Sequence, residues 1–168
     1  MESITREDTV FSTPPWTFTD AENRSVSIER HTDGVEPLVE MYQHFDSASS
    51  SQGLPPRTEE RTREWLTALQ PDSIDVVARH DGTPIGHALL VPYDDTSELA
   101  IFVRPEYQSV GIGTHLIRGL LGVGQNEGIS HVWLSVAREN RIAMRLYRSA
   151  GFEVSEHDRG EFKMERTL

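Results

Sequence analysis

Two glycines, Gly111 and Gly113, stand between an apolar run typical of a strand and a stretch with the apolar period of a helix. The run is ELAIFV, residues 98–103, and the helical stretch repeats Ile112, Leu116, Ile117, Leu120 and Leu121. A glycine loop that opens a helix presents backbone N–H groups and the positive end of the helix dipole, which stabilise an anion by about 0.3–2 kcal/mol. The arrangement requires a strand–loop–helix unit and predicts a phosphate site in the loop.

Two widespread phosphate-binding loops do not match this spacing. A P-loop needs a Gly-Lys pair, and the chain contains none. A dinucleotide fingerprint needs a third glycine where this chain has Leu116. Such a fingerprint also lies in the first strand–helix turn of its fold, whereas this loop follows several predicted strands. GVGQNEG, residues 122–128, also lacks the third glycine and is predicted to end a helix. The remaining pattern is Q-x-x-G-x-G, from Gln108 to Gly113.

The first part of the chain predicts an arm, a hairpin and two helices. Residues 1–15 have no period and are expected to form a loose arm. Residues 16–30 alternate across a polar turn, as a hairpin does, and residues 35–48 have a helical apolar face. A Ser/Gly/Pro loop, residues 49–56, precedes a second helix that Thr58 is expected to cap. We therefore assign residues 1–23 to an arm and the start of the first hairpin, and 24–168 to a single domain.

The second part of the chain predicts strands and two more helices. SIDVVARH, TPIGHALLVPY and SELAIFVR are strand-like, and the turn Asp81-Gly82 joins the first two as a hairpin. ISHVWLSV is apolar enough for a strand covered on both faces. A last helix begins at Asn140 as its cap and ends at Gly151, and one or two strands follow. The order predicts an α/β fold with a mixed sheet.

The charge of the chain is strongly acidic but uneven. It has 27 acidic and 16 basic residues, a net charge of −11, and Lys163 is its one lysine. Such a surface is typical of halophilic proteins, although ordinary acidic solubility explains it as well. Six arginines and only three acidic residues lie between Arg104 and Arg148, so this segment has a net positive charge. A polyanionic ligand requires such a charge, but surface arginines without a ligand would produce it as well.

Composition excludes several classes of function. A net negative chain does not favour nucleic acid, and no apolar run is long enough to span a membrane. No charged and apolar leader opens the chain, so a cytoplasmic location is expected. Without cysteine there are no disulfides, thiol nucleophiles or zinc–sulfur sites, and the seven histidines form no i, i+4 pair, so no metal is expected.

Two segments together resemble the Gcn5-related N-acetyltransferase (GNAT) family. The family's acetyl-CoA signature, R/Q-x-x-G-x-G/A, matches Gln108 to Gly113 at the same topological point. Its later segment, N-x-x-A-x-x-x-Y-x-x-x-G-F, matches NRIAMRLYRSAGF, residues 140–152. The resemblance covers about residues 24–168 and is strongest over 97–155. It implies a mostly antiparallel central sheet flanked by helices, with a splayed pair of parallel strands that admits the coenzyme.

The resemblance also implies which residues bind acetyl-CoA, the co-substrate. Backbone groups of Ile101 and Val103 are expected to bond the pantetheine arm and to polarise the thioester carbonyl. The loop from Gln108 to Thr114 is expected to hold the diphosphate, and its other members are Ser109, Val110, Gly111, Ile112 and Gly113. Gln108 stands where many relatives have arginine, and Arg104 or Arg145 is a candidate to replace that charge. Asn140 is expected to touch the coenzyme, to cap its helix, or both.

For catalysis, the resemblance assigns Tyr147 as the general acid that protonates the leaving thiolate, with core packing as its alternative role. Glu98 is a candidate general base, although its strand parity is opposite to that of Ile101 and Val103. A bulge is needed to turn it to their face. The other candidates for the base are Asp94, Asp95, Glu59, Glu60 and ordered water.

The predicted function is transfer of an acetyl group to a primary amine by direct attack in a ternary complex. The acceptor is a small amine or a protein lysine or N-terminus, and Tyr42 and Phe45 either line its site or belong to the core. A non-catalytic sensor that binds acetyl-CoA and regulates a partner is the alternative. A homodimer is a further expectation from the family.

Overall fold

The computed structural model describes residues 10–45 and 54–168, which form an eight-stranded sheet in the order β1-β2-β3-β4-β5-β6-β8-β7. The strands are β1 Trp16–Thr19, β2 Ser25–Arg30, β3 Ile74–His80, β4 Thr83–Tyr93, β5 Thr96–Val103, β6 His131–Ala137, β7 Glu153–Asp158 and β8 Glu161–Thr167. All neighbouring strands are antiparallel except β5 and β6, which are parallel. This confirms the predicted mixed, mostly antiparallel α/β sheet.

Four helices cover the two faces of the sheet. They are α1 Glu36–Tyr42, α2 Glu59–Leu69, α3 Ile112–Asn126 and α4 Arg141–Ser149. Helices α3 and α4 bury the main core against one face, with Leu116, Leu120 and Tyr147 among its members. Helices α1 and α2 bury a smaller cluster on the other face, around Tyr42 and Leu66. Each face is apolar under its own helix pair, which is the layered arrangement that a half-buried sheet requires.

Strands β5 and β6 separate soon after they meet. Their pairing is limited to Ser97 with Val132 and Glu98 with Trp133. Strand β5 stays paired with β4 along its whole length, and β6 stays paired with β8, so the two halves of the sheet diverge beyond Glu98. The edge of β5 that faces β6 therefore carries backbone groups without a strand neighbour, which confirms the predicted splayed parallel pair.

Several local predictions differ from the structure. Helix α1 ends at Tyr42, short of the predicted residue 48, and residues 46–53 lie outside the described residues, as does most of the predicted 49–56 loop. By contrast, helix α3 ends at Asn126, inside GVGQNEG as predicted, and Gly124 within it lets Leu90 of β4 approach closely. Strand β6 alternates between buried and less buried residues, so its prediction as a strand covered on both faces is wrong.

Residues 10–15 pack against α3. The backbone N–H of Phe11 donates to Oε1 of Gln125 at 2.8 Å, and the Phe11 ring joins the main core. A Cβ at Gly122 would overlap the carbonyl oxygen of Ser12, so this helix glycine allows the segment to cross α3. This part of the segment that we expected to be loose is therefore held by specific contacts.

Candidate functional site

A cavity of about 530 Å³ lies between the end of β5, the glycine loop and the helices α3 and α4. It brings together ten of the residues that the sequence singled out: Ile101, Val103, Gln108, Ser109, Gly111, Gly113, Thr114, Asn140, Arg145 and Tyr147. These residues come from two separate segments, and the divergence of β5 from β6 opens the space between them. The cavity is therefore continuous with the unpaired edge of β5.

Two positions in the loop, 111 and 113, are glycine for different structural reasons. Gly111 has φ +98° and a hypothetical Cβ there meets no atom within 4 Å, so the backbone conformation demands glycine and the space beside it is open. Gly113 is helical, and a Cβ there would lie 3.2 Å from Cδ2 of Leu146 on α4. Its missing side chain allows α4 to approach. Ser109 also has positive φ, +61°, so the loop contains two left-handed residues, a feature of backbone turns that gather N–H groups around an anion.

Three other predicted loop residues have roles that the sequence did not indicate. The Nε2 of Gln108 donates to the carbonyl of Val103 at 3.0 Å and so ties the loop to β5. The carbonyl of Val110 accepts from the backbone N–H of Ala21 at 3.1 Å, and its side chain packs on the main core. Ile112 is buried in that core. The side chains of Val110 and Ile112 do not line the cavity, so only their backbone groups are available to a ligand.

The backbone of β5 is oriented toward the gap at Ile101 and Val103. The N–H of Arg104 donates to the carbonyl of Ile85 on the β4 side at 2.9 Å. Since peptide groups alternate between the two sides of a strand, the backbone groups of Ile101 and Val103 point to the β6 side. Their side chains pack on the core under α3. This places a row of backbone hydrogen-bonding groups beside the cavity.

Tyr147 and Asn140 contribute from α4. Tyr147 lines the cavity, packs edge-on against Phe152 at 6.1 Å between ring centroids and is 8% exposed. Burial raises the pKa of Tyr147 to about 12, so its hydroxyl stays protonated at neutral pH. The Asn140 side chain accepts from the N–H of Ala143 at 3.1 Å, which confirms the predicted helix cap. Both positions are compatible with contact to a ligand in the cavity.

Glu98 does not line this cavity. The pairing of β4 with β5 is regular from Gly86–Val103 to Tyr93–Thr96, so there is no bulge in β5 to turn Glu98 toward the face of Ile101. Its side chain lies on the opposite face, which also carries Phe102 and the α1–α2 cluster. Burial raises the pKa of Glu98. A carboxyl group with a raised pKa therefore flanks the point where β5 and β6 separate, on the side away from α3.

None of the other acidic candidates lines this cavity, and Glu60 is exposed in the first turn of α2. Asp94 and Asp95 form the turn between β4 and β5 and line a different hollow. Glu59 accepts a hydrogen bond from Arg63 at 3.2 Å. Arg104 pairs with Glu106 at 3.0 Å, whereas Arg145 lines the cavity, so Arg145 is the better placed substitute for the missing charge at Gln108.

Sequence inspection missed several lining residues, namely Tyr107, Ile142, Ala143, Leu146 and Ser149. Four of these lie on α4, where Ile142, Leu146 and Ser149 repeat at the i, i+4, i+7 spacing of one helix face. That spacing was a usable signal. Tyr107 had none, since its place depends on contacts from distant strands: its hydroxyl bonds His80 at 2.8 Å and its ring lies 4.2 Å from the guanidinium of Arg24.

A buried polar chain lies on the opposite face of the sheet. The hydroxyl of Tyr42 is 2.7 Å from Nδ1 of His87, and the Nε2 of His87 donates to Asp75 at 2.7 Å. Ser73 donates to the other oxygen of Asp75 at 2.6 Å. Burial raises the pKa of Asp75, but the hydrogen bonds and charge of its partners outweigh burial and leave it below its usual value. Tyr42 is 3% exposed, so it belongs to the core, and Phe45 packs partly buried against it.

Two kinds of feature are absent from residues 10–45 and 54–168. This part of the chain has no helix long and apolar enough to cross a bilayer. Nor does it bring three or more His, Asp or Glu residues into a group that could hold a metal ion.

Comparison with known proteins gives relatives of one kind. The model of the acetyltransferase (GNAT) family matches residues 38–152. An uncharacterised N-acetyltransferase of Mycobacterium tuberculosis (strain H37Rv) is 34% identical over 97 residues, which cover 56% of this chain and 61% of that protein. The ribosomal protein bS18 alanine N-acetyltransferase of Escherichia coli K12 is 36% identical over 62 residues, 37% of this chain and 42% of that protein. The chain thus spans about three fifths or less of these relatives.

Solved structures share the fold. The GNAT domain of S. lividans PAT superposes with a TM-score of 0.79 at 17% identity, covering 92% of this chain and 97% of that one. The PaiA N-acetyltransferase of Thermoplasma acidophilum, solved with coenzyme A, gives a TM-score of 0.67 at 24% identity, covering 84% and 99%.

Proposed function

Since the chain belongs to the acetyltransferase (GNAT) family, we propose that it is an enzyme that transfers the acetyl group of acetyl-CoA to a primary amine, by direct attack in a ternary complex. The observation that carries the proposal is the 530 Å³ cavity. It joins the Q-x-x-G-x-G loop, the unpaired edge of β5 and the hydroxyl-bearing ring of Tyr147 in one continuous space. A diphosphate, an extended amide-bearing arm and a thioester need these three elements in that order.

The loop and β5 are suited to hold the donor. Backbone N–H groups from Ser109 to Gly113 and the positive end of α3 attract the diphosphate, and Arg145 adds a charged donor beside them. The backbone groups of Ile101 and the N–H of Val103, whose carbonyl already accepts from Gln108, bond an extended pantetheine arm as a neighbouring strand would. A preorganised backbone N–H of this edge also stabilises negative charge on the carbonyl oxygen.

Bound acetyl-CoA supplies a thioester carbonyl, whose C–S bond breaks as the amine forms its new N–C bond. An ammonium of pKa about 10.4 must first lose a proton, which costs roughly 4–5 kcal/mol at neutral pH. Glu98 accepts this proton, directly or through water, because it lies on the face away from α3 and its raised pKa makes it a stronger base. Tyr147 gives its proton to the leaving sulfur, since its pKa of about 12 keeps it protonated until then.

The acceptor enters from the face of α1 and α2. That face carries Glu98 and the aromatic cluster, and it adjoins the separation of β5 from β6. The acceptor class is a primary amine, on a small molecule or at a protein lysine or N-terminus. An N-terminal amine is the acceptor that the name of the E. coli relative indicates.

Calorimetric titration of acetyl-CoA into the wild type and Gly111→Glu, in potassium chloride, tests the donor site. Gly128→Glu is the matched control, because Gly128 has a similar φ of +85° with open space around its Cβ and lies outside the cavity. We expect micromolar binding by the wild type and the control and its loss in Gly111→Glu. Equal binding by the two variants, or none by a folded wild type, contradicts the proposal.

Turnover is then measured as free thiol released in the presence of small amines and of peptides with free N-termini or lysines. Tyr147→Phe is expected to lower kcat about 10²–10⁴-fold, as removal of a general acid does. It should leave acetyl-CoA affinity nearly unchanged. Tight coenzyme binding without turnover of any amine would favour a sensor over an enzyme.

A further inference from the structure

A second cavity, of about 870 Å³, lies outside the proposed donor site. It is enclosed by residues 10–16, the second turn of α3, the end of α4 and the end of β8. Arg118, Arg148, Arg166 and His115 line it, and none of its lining residues in the described chain is acidic. In a protein of net charge −11, Arg118, Arg148 and Arg166 gather positive charge around one hollow, which favours an anionic ligand.

Arg166 is held in place on both sides of its guanidinium. It is 6% exposed, and its Cζ lies 5.0 Å from the ring centroid of Phe11. On the other side, a Cβ at Gly151 would overlap Nη1 of Arg166. Gly151, at φ +89°, therefore both ends α4 and leaves room for the guanidinium. A buried, fixed cation is a preorganised element of a binding site.

Arg118 and Arg148 extend the positive charge to the outer part of the cavity. Neither belongs to any ion pair found within the described residues. Arg148, in the last turn of α4, also offsets the dipole of that helix, but Arg118 has no such role in α3. Nδ1 of His115 accepts from Nε1 of Trp16 at 3.0 Å, so the ring proton is on Nε2 and His115 is a further donor.

We propose that this cavity binds a phosphate group, with Arg118 and Arg148 as its charged donors beside the fixed Arg166. Arginine suits phosphate because its planar fork donates two parallel hydrogen bonds. The site is distinct from the glycine loop, and among the described residues that line the two cavities only Ser149 is common to both. Arg118 follows Ile112 by six residues, roughly 9 Å along the helix axis.

The phosphate has two possible sources. It is either the 3′-phosphate of the coenzyme, in which case the inference rests on the proposed function, or a free phosphorylated small molecule. The chemistry of recognition is the same for both, and comparison of the coenzyme with its 3′-dephospho analogue separates them.

The first arm uses inorganic pyrophosphate as the probe. It is titrated by calorimetry at low salt into the full-length Gly111→Glu protein, in which the loop site is blocked. Adding Arg118→Gln and Arg148→Gln is expected to weaken binding at least tenfold, whereas adding Arg159→Gln, an exposed arginine of the β7–β8 turn, is expected to leave it unchanged. Thermal melts check that each variant is folded.

The second arm compares acetyl-CoA with its 3′-dephospho analogue, in the wild type and in Arg118→Gln. A preference for the 3′-phosphate that disappears in Arg118→Gln identifies the coenzyme as the source. Equal affinity for the two coenzymes, together with arginine-dependent pyrophosphate binding, identifies a free phosphate ligand.

The proposal is overturned if pyrophosphate binding does not depend on Arg118 and Arg148 and the 3′-phosphate adds nothing in either protein. Arginine-dependent pyrophosphate binding by a protein that does not bind acetyl-CoA would remove the proposed function and leave this site standing.

Discussion

The glycines of the phosphate loop give a sharp test, because Gly111 and Gly113 are glycine for different reasons. Gly111→Ala forces a Cβ into a backbone of φ +98°, where nothing lies within 4 Å. Its cost is therefore conformational and about 1–2 kcal/mol. Gly113→Ala places a methyl group 3.2 Å from Cδ2 of Leu146, which requires a shift of a few tenths of an ångström. Helix propensity offsets this crowding by up to about 1 kcal/mol, so the net change is near zero.

Urea denaturation of the wild type and both variants measures the free energy of unfolding. We expect the free energy of unfolding of Gly111→Ala to be about 1–2 kcal/mol lower than that of Gly113→Ala. The dependence of this free energy on urea concentration should be the same for both variants. Acetyl-CoA affinity should follow the same order. Gly111→Ala redirects N–H groups of the loop and is expected to weaken binding about tenfold, as loss of one hydrogen bond to a charged group does. If Gly113→Ala proves as destabilising as Gly111→Ala, the assignment of strain to Gly111 alone is wrong.

Three further predictions concern the face of α1 and α2. Tyr42→Phe leaves a buried nitrogen of His87 without its hydrogen bond and is expected to lower the free energy of unfolding, measured by urea denaturation, by about 1–3 kcal/mol. The control Tyr93→Phe, at a residue that is 64% exposed, should change the free energy of unfolding by less than about 0.5 kcal/mol. Similar effects of the two substitutions would refute the role of the buried bond. Because the pKa of Asp75 is lowered by folding, its ionisation stabilises the protein fully above the unfolded value of about 3.9, and this contribution is lost as pH falls through the lower folded value. The stability gap between wild type and Asp75→Asn, measured at pH 7 and in strong acid, should therefore shrink in acid, and a constant gap contradicts this. Since burial raises the pKa of Glu98, kcat/KM should decline as pH falls through that raised value, and Glu98→Gln should remove this limb of the pH profile; an unchanged profile means that the base lies elsewhere.

Short-range signals in the sequence determined much of the fold. The Asp81-Gly82 turn, the Thr58 and Asn140 caps and the left-handed Gly151 lie where their residue types predict. These features depend on conformational preferences within a few residues, which any sequence displays directly. The spacing of the two motif segments also identified most of the donor cavity, because a strand, a loop and a helix in that order leave little freedom in where their ends meet.

Tertiary contacts decided the rest. Whether β6 is covered on one face or two depends on which helices reach it, and Glu98 faces α1 and α2 because β5 runs without a bulge. The arginine cavity is assembled from residues about 150 positions apart, between Phe11 and Arg166. No local pattern encodes such a meeting, since it depends on the packing of a crossing segment, two helices and a strand, each placed by hydrophobic burial of its own inner face.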